Sequence, residues 1–187
     1  MRKIRIVIVD SGVRLDHPAV QDHHPVVVRY SGLREGEGDC GHGTAIYNIV
    51  KKTESFADII NFQITNKDGE ICEETLLSCL NTIKEEYDAD IINLSLGLSL
   101  CDDLTQLRQT CDELSKKGVV IISAFDNMGA ISYPAAFSNV IGVTSVDLCR
   151  KVSDFIVFSD DVINIGANGN LQRLAWNAPD YIFFHGN

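Results

Sequence analysis

Five stretches of this chain are runs of strand length dominated by apolar residues and rich in Val and Ile, at residues 4–9, 57–64, 89–94, 118–124 and 139–146. A strand with one face in water alternates strictly between apolar and polar residues, whereas runs with adjacent apolar residues need cover on both faces, the condition of a parallel sheet. Between the second and third runs, EETLLSCLNTIKEEY gathers Leu76, Leu77, Leu80, Ile83 and Tyr87 on one side at helical spacing. Leu104, Leu107, Cys111 and Leu114 repeat that pattern before the fourth run. Lys116-Lys117-Gly118 then closes the second helix, with cations at the negative end of its dipole and a glycine past the last turn.

This alternation predicts an α/β fold: a three-layer, doubly wound, mostly parallel sheet with helices on both faces. With 187 residues, 45% of them apolar, the chain can bury the core of one domain spanning 1–187. After Ser153 the pattern weakens, and NIGANGNLQRLAWNAP reads as a turn-rich stretch.

Open sheets of this kind bind ligands beyond the carboxyl ends of their strands, so the polar residues that end the runs are the first candidates for a site. Asp10 ends the first run in IRIVIVDSG, NLSLG ends the third and SAFDN ends the fourth. A further stretch, DCGHGTAIYNIVKK, sets His42 between two glycines just ahead of a segment able to form a short helix. A buried carboxylate bonded to one imidazole nitrogen fixes the tautomer and stabilises the imidazolium formed in proton transfer, so Asp10 and His42 make a working pair if the fold joins them. Taken singly, Asp10 reads as a cap or turn residue and His42 as a surface histidine.

The net charge of −10 is spread along the chain, which argues against nucleic acid or an anionic membrane as partner. No run approaches membrane-spanning length and the opening strand is too short for a signal-peptide core, so a cytoplasmic location is expected. The six cysteines lack C-x-x-C spacing, which argues against a zinc knot and a disulfide framework. His17, His23 and His24, with Asp16 and Asp22, lack a helical H-x-x-x-H framework and read as a solvated loop.

In order along the chain, VIVDSGVRLDHP, GHGT, INLSLG, VVIISAFDNMG and SYPAAFSNVIGVTSVD resemble the successive signature segments of the subtilisin-like serine proteases. The resemblance runs from Ile4 to Asn187 and implies hydrolysis of a peptide or protein substrate. It makes Asp10 the orienting carboxylate, His42 the general base and Asn127 the side-chain donor to the oxyanion. It makes Ser95, Leu96 and Gly97 the edge that pairs with an extended substrate and walls its side-chain pockets. The resemblance requires no cofactor for this chemistry; structural calcium occurs in many relatives, and the acidic composition permits it here without pointing to particular ligand residues.

Some positions depart from the family pattern. Asp126 stands where a glycine is usual: directed into the first specificity pocket it favours basic side chains, and otherwise it is a solvated turn carboxylate. Cys40 lies close to His42 and reads as an inert thiol. The family nucleophile follows a short Gly-Thr-Ser or Gly-Asn-Ser motif, and Gly186-Asn187 fit its first two positions, so the serine is expected directly after Asn187 and outside this chain. Ser11, Ser95, Ser123, Ser132, Ser138, Ser145, Ser153 and Ser159 lack the strand-turn-helix setting of an activated nucleophile. The domain is therefore expected to be C-terminally truncated, inactive alone, and to expose apolar sheet surface unless a second chain or segment covers it. The alternatives are a non-catalytic peptide-binding scaffold, one half of a two-chain protease, and a receiver-like phosphoacceptor domain, in which GHGT and INLSLG have no role.

Overall fold

The computed structural model describes every residue except Met1, Ser31, Glu35, Gly36, Asp102, Asp160, Asp161, Leu171, His185 and Asn187. The five apolar runs become β1 (Arg5–Asp10), β3 (Asp58–Gln63), β4 (Ile91–Leu94), β5 (Val120–Ala124) and β6 (Ile141–Ser145). They are joined by β2 (Val26–Arg29), β7 (Phe155–Val157) and β8 (Ile165–Ala167) in one eight-stranded sheet of order β2-β3-β1-β4-β5-β6-β8-β7. Every pairing in it is parallel except β7 with β8. A separate antiparallel hairpin pairs β9 (Gln172–Ala175) with β10 (Tyr181–Phe184).

The period-two geometry of the strands divides the core between the two faces of the sheet. From β1, Val7 and Val9 join Ile92, Leu94, Ile121 and Phe62 on the face covered by α2 (Glu73–Glu86) and α3 (Leu104–Lys116). The intervening Ile6 and Ile8 pack with Val13, Val20 and Tyr47 on the opposite face, where Tyr47 belongs to α1 (Gly41–Thr53). The helices meet the sheet through the residues that their spacing predicts: Leu76, Leu80 and Ile83 from α2, and Leu107, Cys111 and Leu114 from α3, are buried. Asp103 caps α3, its side chain accepting from the Thr105 amide at 2.8 Å.

The chain lays β3 on one side of β1 and β4 on the other, so the strand order reverses at β1. Such a reversal opens a crevice beyond the carboxyl ends of the strands it separates, and Asp10 stands at that end of β1.

Two elements differ from the sequence-based expectation. The short helix expected after His42 starts at Gly41 and runs to Thr53, so the histidine is inside its first turn. The turn-rich region after Ser153 contains β7, β8 and the hairpin, elements of three or four residues that are too short to show a period.

Phe62 is fully buried and packs edge-on against Tyr87 with ring centroids 5.1 Å apart, at the junction of β3 and α2. Phe62→Ala is expected to destabilise the chain by about 3–5 kcal/mol in denaturant unfolding. A loss under about 1 kcal/mol would contradict this placement of the core.

Candidate active site

The site begins with two glycines. A Cβ on Gly43 would stand 2.1 Å from the carbonyl oxygen of Gly12, so α1 can approach the end of β1 this closely only with hydrogen at that position. A Cβ on Gly41 would stand 2.4 Å from the indole of Trp176, so that glycine opens the space in which the tryptophan sits. Gly12 itself takes φ +95°, which turns the chain sharply after Asp10.

The close approach brings Asp10 and His42 together. The imidazole Nδ1 lies 2.8 Å from Asp10 Oδ1 and 3.0 Å from Oδ2. The Ser11 amide also donates to Oδ1, at 2.6 Å, and Ser11 Oγ in turn accepts from the Gly43 amide at 3.1 Å. Asp10 is only 4% exposed, so these bonds supply what water would otherwise give its carboxylate. The His42 side chain keeps 31% of its surface and lines a cavity of about 260 Å³, with Nδ1 held by Asp10 and Nε2 left for the cavity.

The cavity is mostly apolar. Ala45, Ile46 and Ile49 of α1 form one side, Ile122 and Ala124 of β5 with Val143 of β6 another, and Leu174, Trp176 and Phe184 of the hairpin region the roof. Trp176 stacks on Phe184 at 5.6 Å, and both meet the His42 ring edge-on, at 6.4 and 6.1 Å. Sequence reasoning passed over this aromatic pair. Its available signal was a lone tryptophan and two phenylalanines on either side of the turn NAPD.

Of the other sequence-predicted residues, Ser95 lines this cavity, whereas Leu96, Gly97 and Asn127 are not part of its lining. The Ser95 hydroxyl accepts from Asn93 Nδ2 at 2.8 Å. The carbonyl of Leu96 accepts from Ser123 Oγ at 3.3 Å, and Gly97 is exposed. Asn127 follows β5 and is exposed; its amide oxygen and nitrogen lie 3.0 and 3.4 Å from where a Cβ on Gly186 would stand. Asp126 Oδ1 accepts from the Met128 amide at 2.7 Å, the geometry of a turn carboxylate. Asn187 lies outside the described residues.

Cys40 is buried, with Gln63 Nε2 3.6 Å from its sulfur, and burial pushes its thiol pKa up, away from the reactive thiolate. His17 is not solvated as its loop suggested. It is fully buried, with Nε2 2.9 Å from the Asp180 carbonyl oxygen and Nδ1 accepting from the Ala19 amide at 3.0 Å, while His23 and His24 are exposed. The apolar content of VRLDHPAV draws it in: Val13 and Val20 are core residues on either side of it. Among the described residues there is no cluster of three or more His, Cys, Asp or Glu side chains that could hold a metal ion.

A model of the subtilase family matches residues 1–181. The chain belongs to the subtilase family. It is 25% identical over 176 residues to the major intracellular serine protease of Bacillus subtilis (strain 168), covering 82% of this chain and 54% of that protein. To thermitase of Thermoactinomyces vulgaris it is 29% identical over 181 residues, covering 89% and 63% respectively. The minor extracellular protease Epr of Bacillus subtilis (strain 168) matches at 25% identity, over 86% of this chain and 26% of its own length. The chain thus spans between about a quarter and two thirds of these relatives. A cold adapted subtilisin-like serine proteinase superposes with a TM-score of 0.78 at 19% identity, covering 98% of this chain and 69% of the other, and shows that the fold is subtilisin-like. The prenylagaramide maturation protease PagA gives 0.75 at 20% identity, with the same coverage. Among the described residues no helix is long and apolar enough to cross a membrane.

Burial is the largest single influence on the His42 charge and opposes it. The hydrogen bond and Coulomb attraction of Asp10, with a further Coulomb contribution from Asp39, together outweigh burial, and the pKa of His42 is raised above its ordinary 6.5. A histidine whose folded pKa is raised stabilises the fold fully below the unfolded value, and that contribution is lost as pH rises through the folded value. The stability gap between the parent and His42→Gln is therefore expected to be widest below about pH 6.5 and to narrow as pH rises. Denaturant unfolding of both proteins across that range checks this, and a gap that widens with pH would refute it.

Proposed function

We propose that this chain forms the base, oxyanion donor and substrate edge of a serine endopeptidase, as a single catalytic domain acting on peptide or protein substrates. The observation that carries the reading is the bond from Asp10 to His42 Nδ1, which leaves Nε2 toward a cavity roofed by Trp176 and Phe184. A carboxylate on Nδ1 selects the tautomer in which Nε2 is the free base, and it stabilises the imidazolium once Nε2 is protonated. The raised pKa of His42 fits a base that receives a proton during attack and returns it to the leaving group.

The steps follow from these positions. Nε2 takes the proton of a serine hydroxyl as its oxygen attacks the scissile carbonyl carbon, and the Asn127 amide donates to the oxygen that becomes negative. When the tetrahedral intermediate collapses, the carbon–nitrogen bond breaks and Nε2–H protonates the departing amine, leaving an acyl-serine that water hydrolyses by the same route. Residues Ser95 to Gly97 hold the substrate backbone extended. No cofactor takes part in these steps.

The attacking serine is outside these 187 residues, following Asn187 in a longer product or carried by a second chain. Two contacts support this: Phe184 lies against His42, and Gly186 lies against Asn127, so the tail runs between base and oxyanion donor. The apolar lining of the cavity also suits burial of a helix leading away from that serine. Residues 1–187 alone then have no useful turnover, since an oxyanion site and cleft without the nucleophile leave only about 10³-fold acceleration over water. A cytoplasmic setting is part of the reading, supported by the relative named as intracellular.

The test is fluorophosphonate labelling and intact mass of the product of the native reading frame. A label on a serine after Asn187, absent in His42→Ala, is the expected result. A product that never labels and cleaves no peptide would overturn the assignment and leave a peptide-binding groove as the function. In the unlabelled product of the native reading frame, Asn127→Ala is expected to lower kcat by about 10²- to 10³-fold with KM little changed.

A further inference from the structure

Asp39 lies just ahead of α1 and has no place in the steps proposed above. Its Oδ1 accepts two hydrogen bonds. One comes from the amide of Gly41, the first residue of α1, at 2.9 Å, and the other from Asn177 Nδ2 at 3.2 Å, in the hairpin turn 138 positions away. A single oxygen therefore joins the helix that carries His42 to the turn that carries Trp176.

That turn is bonded to itself and moves as one piece. The Trp176 amide donates to the Asp180 carbonyl at 3.0 Å, and the Asp180 amide donates to the Asn177 carbonyl at 2.6 Å. His17 holds the far end, with Nε2 2.9 Å from the same Asp180 oxygen. Between the two holds the indole lies on Gly41, where a Cβ would stand 2.4 Å from both Cε2 and Nε1, and its ring centre is 6.4 Å from that of His42. Burial lowers the proton affinity of His42, and the charged groups that act on it, Asp10 at the end of β1 and Asp39 before α1, raise it. The hairpin faces it with the rings of Trp176 and Phe184.

We infer that Asp39 is a positioning residue: as the latch on Asn177 it holds Trp176 against Gly41, and so keeps water from the His42 imidazole while the proton is transferred. This rests on the protease reading above, which makes His42 the base. His17 fixes only the Asp180 end of the turn, so release of Asn177 lets the end beside the indole lift. A neutral amide at position 39 can accept the same two bonds, which places the role in the acceptor oxygen and not in the charge.

The experiment compares the product of the native reading frame with its Asp39→Asn, Asp39→Ala and Asn177→Ala variants. Trp176 is the one tryptophan of these 187 residues, and subtracting the emission of Trp176→Phe isolates its signal. Protonated imidazole quenches a neighbouring indole, so the parent emission is expected to fall as pH drops through the His42 titration, and this fall is expected to vanish in His42→Gln. Asp39→Ala and Asn177→Ala are each expected to lose more than half of that fall, and to react with a fluorophosphonate about 10-fold more slowly on the alkaline side of the titration. Asp39→Asn is expected to keep both. Asn177→Ala leaves the bond from Asp39 to Gly41 in place, so a loss common to both alanine variants belongs to the latch and not to the start of the helix. Parental emission and labelling rate in Asn177→Ala, a loss in Asp39→Asn equal to that in Asp39→Ala, or a loss of the emission change with labelling unslowed each overturns the inference while leaving the protease reading intact. A parent that never labels removes that reading, and this role with it. If Asp39→Ala does not fold, as judged by thermal melting, Asn177→Ala and Asp39→Asn decide the question between them.

Discussion

The bond between Asp10 and His42 is the constraint around which the crevice is arranged. A carboxylate that is 4% exposed must find donors inside the protein or lose its charge. It finds one in the next backbone amide and one in an imidazole carried by another element. The second donor arrives only because α1 comes within contact of the turn after β1, and a single missing Cβ, at Gly43, sets that distance. A side chain there would separate helix from turn, leave Asp10 short of a donor and withdraw the imidazole from the cavity.

The sheet makes this arrangement rigid. β1 is held on both sides, by β3 through six register pairs and by β4 through four, so its last residue cannot shift along the strand without breaking both ladders. The side chains that alternate along it fill two different cores, Val7 and Val9 against α2 and α3, Ile6 and Ile8 on the α1 side. Rotating or sliding β1 would exchange those sets, so the position of Asp10 is fixed by hydrophobic packing far from any chemistry.

Much of this was legible in the sequence because it rests on local pattern. The five central strands lie in apolar runs of six to eight residues, α2 and α3 are long enough to show their helical period, and Asp10 and His42 stood out through the unusual contexts of a strand end and a Gly-His-Gly. What escaped has a common cause. The strands β2, β7 and β8 and the hairpin are three or four residues long, and Trp176 and Phe184 reach His42 from more than 130 positions away. His17 read as solvated because it was grouped with Asp16, Asp22, His23 and His24, whereas its partner is the backbone of Asp180, 163 positions away. The functions of Gly41 and Gly43 also became distinguishable only when their neighbours in space were known: one accommodates an indole, the other a backbone carbonyl.

The hairpin that roofs the cavity has a temporal implication. Asp10 and His42 are separated by 32 positions, and the strands beside them are complete early in the chain, whereas the tether from His17 to the hairpin spans 163 positions. During synthesis, which proceeds from the N-terminus, the carboxylate and imidazole can meet while the aromatic roof, the Gly186–Asn127 contact and the closed cavity do not yet exist. The sheltered environment around His42 therefore cannot form before Trp176 and Phe184 have been synthesised.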